Sequence, residues 1–176
     1  MLRNTPSQYG LVARLLHHLM ALLVLGLFLL GLVMDLPEKG GALASALKAL
    51  HLNLGTLAML LLILRSLWRA SNPIPEAGLS APNARWAHIG HLALYGAMAL
   101  QMLLGLLILL SRSRDTPLWW GLTLPGAGWS WLHKAAEEAH QWLAWGLMAL
   151  VAGHLVMVLV HKAKGDSSQR GMLKRD

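Results

Sequence analysis

The chain has 176 residues and no cysteine. That absence excludes disulfide bridges, thiolate iron–sulfur ligation and covalent haem attachment through C-x-x-C-H. Charge is also scarce: charged residues make up 13%, against about a quarter in an average soluble domain. Phe and Tyr are nearly missing (one and two), whereas Trp is abundant at eight. No nucleotide loop, no H-E-x-x-H and no serine nucleophile elbow occurs. What is present is apolar bulk, 56% hydrophobic with mean hydropathy +0.50, and nine histidines. Any cofactor therefore has to be held by His, Met or oxygen ligands.

The few charges fall in clumps and leave four long uncharged windows: Leu15 to Met34, Ala49 to Leu64, Trp86 to Ser111 and Ala139 to His161. A bilayer-spanning helix takes about 20 mostly apolar residues. The second window reaches that length when Lys48 and Arg65 extend to the interfaces. Only helices and closed barrels satisfy the backbone in lipid, and nothing here alternates with period two. The windows therefore predict an all-α integral membrane four-helix bundle, a single domain over residues 1–176 with helices near 13–35, 47–68, 85–111 and 136–161. The first window is too long for a signal peptide, and no small-x-small site follows before Pro37.

Lys and Arg are distributed unevenly about these helices. The N-terminus (Arg3, Arg14), the second loop (Arg65, Arg69, Arg85) and the C-terminal tail (Lys162, Lys164, Arg170, Lys174, Arg175) hold ten of fifteen. The first loop (Lys39, Lys48) and the third (Arg112, Arg114, Lys134) hold five. The positive-inside rule predicts that both termini are cytoplasmic. The net charge of +7 reads as attraction to anionic lipid headgroups, since no basic stripe suited to nucleic acid lies on a soluble element. Asn72-Pro73-Ile74-Pro75 predicts a stiff extended connection. The third loop carries Trp119, Trp120, Trp129 and Trp131 and is expected to lie along the periplasmic interface.

Ionisable groups inside a membrane are costly unless buried in protein and paired, which marks the histidines as functional candidates. His140 and His154 lie 14 residues apart, close to four full turns, so both face one side at depths about 21 Å apart. One helix thus offers two ligands, one per leaflet, as a vertical pair of cofactors requires. Chain direction places His17 and His154 at the cytoplasmic side and His51 and His140 at the periplasmic side. The expected axial pairs are His17 with His154 and His51 with His140. Gly55, Gly146 and Gly153 are small residues suited to a porphyrin between helices, and equally to close helix packing. His18, about 100° from His17 around the helix, is a rival ligand, as are His88 and His91. Those two otherwise suit a quinone or proton site, or simple interfacial capping. His133 and His161 are read as interfacial.

The segments Arg14-Leu15-Leu16-His17-His18, Ala49-Leu50-His51, Trp86-Ala87-His88-Ile89-Gly90-His91, Trp120-Gly121-Leu122-Thr123-Leu124-Pro125 and His140…His154 resemble the bacterial cytochrome b561 family. The likeness covers nearly the whole chain and departs at His18, where the family usually has an aromatic residue. It implies a four-helix inner-membrane protein with two haem b groups, whose ligands on helices one, two and four match His17, His51, His140 and His154. It also implies electron exchange between the ubiquinone pool and a periplasmic donor or acceptor, with superoxide oxidation coupled to quinone reduction as one proposed reaction. Arg112, Arg114 and Lys134 would then steer a small anion; the same charges equally suit a solvated loop. The plan is also similar to the cytochrome b subunits that anchor separate dehydrogenases and conduct their electrons. Metal transport is disfavoured by the shortage of intramembrane carboxylates.

Overall fold

A computed structural model of the chain describes residues 1–75, 81–119 and 121–163, the side chains of residues 81–83 and 162 excepted. Four helices are long and apolar enough to cross a membrane: α1 (Leu11–Val33), α2 (Ala42–Ser71), α3 (Ala81–Leu110) and α4 (Ser130–Ala163). Each runs beyond its uncharged window at one end or both; α1 does so only at its start, from Leu11, and ends at Val33. Charge marks the limit of the hydrocarbon, not the end of the helix. Lys48 therefore sits a full turn inside α2, where its ammonium meets Asp35 at 2.8 Å. Lys134, Glu137 and Glu138 likewise occupy the first turns of α4. Trp120 and the tail with Lys164, Arg170, Lys174 and Arg175 lie outside the described residues.

The helices pack α1 on α2, α2 on α3 and α3 on α4, in antiparallel order. The start of α1, the end of α2, the start of α3 and the end of α4 share one end, called proximal here. Asn4 donates to the Pro73 carbonyl there at 3.0 Å, and the first amides of α1 take the carbonyls of Met1 and Leu2. At the other, distal end, the loop between α3 and α4 folds back through a two-residue ladder, β1 (Thr116–Pro117) against β2 (Thr123–Leu124). Gly126 sits so close to the Arg112 and Arg114 carbonyls that a Cβ would fall within 2.6 Å of both. Buried Asn53 of α2 accepts the Trp119 backbone N–H at 2.7 Å and so ties this loop down.

The buried apolar cluster at mid-bundle is a single layer. Met20, Leu62, Met98 and Leu147, one from each helix, form its centre. Leu147 lies midway between His140 and His154 in sequence, so the apolar layer separates two histidine levels. Most other apolar side chains face outward, as a lipid-solvated bundle requires.

Candidate functional site

The two histidine levels each contain an opposed pair. At the distal level His51 of α2 faces His140 of α4, ring centroids 6.3 Å apart. At the proximal level His17 of α1 faces His154 of α4 at 6.4 Å. His91 of α3 also reaches His154, at 5.5 Å, and His18 lies 5.4 Å from His17. The helical spacing of 14 thus does what the sequence predicts, and α4 serves both levels.

These separations bear on whether a metal fits between the rings. A metal–imidazole bond, on the zinc scale, is about 2.0–2.1 Å, which puts the centroids of two imidazoles across one metal about 6.4 Å apart. Both expected pairs match that separation. The 5.5 Å between His91 and His154 is too short for it, so His91 is a neighbour of the proximal pair. His18 is exposed, and its Nδ1–H donates to the Arg14 carbonyl of its own helix at 2.7 Å. His88 is exposed.

Neighbouring groups orient the distal pair. The Gln101 carbonyl on α3 accepts from His140 Nδ1–H at 3.1 Å, and the Gln101 amide returns a bond to the His140 carbonyl at 3.0 Å. A carbonyl only accepts, so the His140 proton is on Nδ1 and Nε2 keeps its lone pair, as a metal ligand needs. Glycines back both rings: a Cβ on Gly105 would stand 3.4 Å from His140 Cε1, and one on Gly31 3.6 Å from His51 Cε1. The buried Nδ1 of His51 makes no well-formed hydrogen bond; the backbone of Leu27 is the group within its reach. Gly55 is half-buried with nothing within 4 Å of its Cβ position, a gap beside His51; Gly146 and Gly153 are on the exposed surface of α4. Among the described residues no three His or carboxylate groups converge to hold a metal by themselves. The donor chemistry and the ring separations fit a metal-centred group held between two opposed imidazoles.

The proximal pair is bordered by cations. Arg65 of α2 donates to His17 Nδ1 at 2.8 Å. Its guanidinium and that of Arg69 both lie over the ring of Tyr95 on α3, at 5.3 and 5.7 Å. At the distal end a cleft of about 420 Å³ is lined by Ser111, Arg112, Ser113, Arg114, Ser130 and His133. Ser111 Oγ donates to the Ile108 carbonyl and meets His133 Nδ1 at 2.5 Å, while His133 Nε2 faces Glu137 at 3.1 Å. Lys134 is not in this cleft; it is exposed and points to Glu138 at 3.8 Å. Of the three cations expected to steer an anion, Arg112 and Arg114 are together and Lys134 is apart.

Sequence reasoning overlooked Gln101, Asn53 and the Arg65–His17 contact. Gln101 and Asn53 had a visible signal, as amides inside uncharged windows. Arg65 had none, since its partner is 48 residues away.

A membrane-embedded helical bundle that opposes imidazoles at two depths, with no thiolate, is the scaffold of a b-type cytochrome. The chain belongs to the prokaryotic cytochrome b561 family, whose sequence model matches residues 8–175. It is 32% identical to cytochrome b561 homolog 2 of Escherichia coli (strain K12) over 166 residues, 90% of this chain and 86% of the relative. It is a multi-pass protein of the bacterial inner membrane, with the haem b binding and electron-transfer role of that family.

Proposed function

We propose that the chain holds two haem b groups, one between His17 and His154 and one between His51 and His140, and passes electrons between ubiquinone and a periplasmic redox partner. The observation that carries this reading is the pair of matched separations, 6.4 and 6.3 Å, on one helix. Haem b supplies a one-electron redox centre when bound. The chain's part would be to hold each group by two imidazoles, which would leave the iron no position open to oxygen and would favour outer-sphere transfer. The layer of Met20, Leu62, Met98 and Leu147 keeps water from the path between the levels.

The proximal end is cytoplasmic in this reading, because it carries ten of the fifteen Lys and Arg. Quinone reduction consumes two protons, and His91 and His88 are the histidines of α3 at that end. The periplasmic cleft with Arg112, Arg114 and His133 suits a small anion. Superoxide is such a donor: two of them release two electrons as two O2, and with two protons these convert one ubiquinone to ubiquinol.

Pyridine haemochrome titration of the purified protein tests the reading. Two haems per chain are expected, falling to one in His140→Ala and to one in His154→Ala, with different haems lost. One haem in the unmodified protein, or no loss in either variant, would overturn it. Purified protein should also reduce ubiquinone with superoxide alone; failure there assigns the electrons to a separate dehydrogenase.

A further inference from the structure

Arg65 and Arg69, at the proximal level, face no carboxylate among the described residues. The described carboxylate side chains are Asp35, Glu38, Asp115, Glu137 and Glu138, and all five stand at the distal end. Arg65 and Arg69, one turn apart on α2, share a single ring, that of Tyr95. Tyr9, just before α1, faces the same two arginines. Burial raises its hydroxyl above the usual tyrosine value, against a smaller opposing pull from Arg69, so at neutral pH it is an O–H and no counter-anion. Trp68, between the arginines in sequence, has a buried indole N–H with no partner among the described residues. This end therefore gathers two guanidiniums, an unpaired indole donor and two phenols. Charges at such depth are normally paired, and guanidinium forks match carboxylate and phosphate oxygens.

The Arg65 contact with His17 has its own consequence. A guanidinium only donates, so the bond to Nδ1 takes that lone pair and leaves the imidazole proton on Nε2. Binding a metal through Nε2 requires Arg65 to donate elsewhere. An anionic oxygen beside the His17–His154 pair gives it that acceptor. Haem b carries two carboxylates, its propionates. We propose that Arg65 and Arg69, set by the Tyr95 ring, bind the propionates of the proximal haem and hold its midpoint potential up. The proposal rests on the two-haem reading above. Its electrostatic basis is that nearby positive charge favours the reduced form, which carries one positive charge fewer.

The test is potentiometric titration of both haems in the whole protein, held in nanodiscs of zwitterionic lipid. Arg65→Gln and Arg69→Gln should each lower the midpoint of one haem, the one lost in His154→Ala, and leave the other unchanged. A tenfold shift in the reduction equilibrium is about 59 mV. Arg65→Lys, which keeps the charge, should restore most of it. Unchanged midpoints in both glutamine variants would overturn the proposal. So would a wild-type midpoint that moves when anionic lipid replaces zwitterionic lipid and stops moving in Arg65→Gln, since the arginines would then serve lipid phosphate. If Arg65→Gln cannot retain the haem, Arg69→Gln and Tyr95→Leu, which removes the ring, decide: a lowered midpoint with haem kept supports the assignment, and an unchanged one defeats it. Fewer than two haems in the unmodified protein would instead defeat the two-haem reading.

Discussion

A histidine becomes a useful ligand only when something else fixes its ring. For His140 that is the Gln101 carbonyl, which sets the proton on Nδ1, together with Gly105, whose missing side chain leaves room for Cε1. An alanine methyl at 105 would rest at ordinary contact distance, 3.4 Å, so Gly105→Ala should keep both haems. A leucine has no such room, and repacking a tight site costs about 1–3 kcal/mol. Gly105→Leu should therefore displace His140 and lower distal haem occupancy, with the proximal haem retained. Haem content with separate midpoints reads this directly; a leucine variant with both haems and both midpoints intact would show that Gly105 does not back the ring.

At the scale of elements, the α3–α4 loop is held by a side chain buried inside α2. Asn53 accepts from the Trp119 amide at 2.7 Å and donates to the Ala49 carbonyl at 2.7 Å, two residues from His51. Asn53→Leu would leave that amide unpaired, at a cost of about 1–3 kcal/mol. Asn53→Asp keeps the acceptor and should lose less. Faster hydrogen exchange at Trp119, and a lower Tm in the leucine variant than in the aspartate one, are the expected results; equal behaviour would remove Asn53 as the latch. This contact also marks where sequence reasoning stopped. Uncharged windows located the four helices, and the 14-residue repeat put His140 and His154 on one face, because both signals are local to one helix. The rotation of α3 that brings His91 to 5.5 Å from His154 is set by packing across the bundle. So are the Arg65–His17 and Gln101–His140 contacts, which join residues 48 and 39 apart. Periodicity carries no phase between helices, so none of these was legible.

For the whole molecule, the uneven charge of the two ends predicts how it sits in the membrane. By sequence, ten of the fifteen Lys and Arg but three of the eight Asp and Glu (Glu76, Asp166, Asp176) belong to the proximal loop and termini. Between the ends, Leu22, Leu29, Leu103, Trp142 and Leu159 stand more than half exposed, which lipid solvates and water does not. The charge bias predicts a cytoplasmic proximal end, hence a proximal haem beside the quinone side and a distal cleft open to the periplasm. Because the chain has no cysteine, a single introduced thiol reports one position without background. Ser71, at the end of α2, and Ser113, on the cleft, are both exposed. In intact cells a membrane-impermeant maleimide should label Ser113→Cys, and should label Ser71→Cys only after lysis. The reverse pattern would invert the bundle and put the Arg112–Arg114 cleft in the cytoplasm. The histidine pairs would survive that result, since they depend on helix packing alone. The direction of electron flow between periplasm and quinone would not.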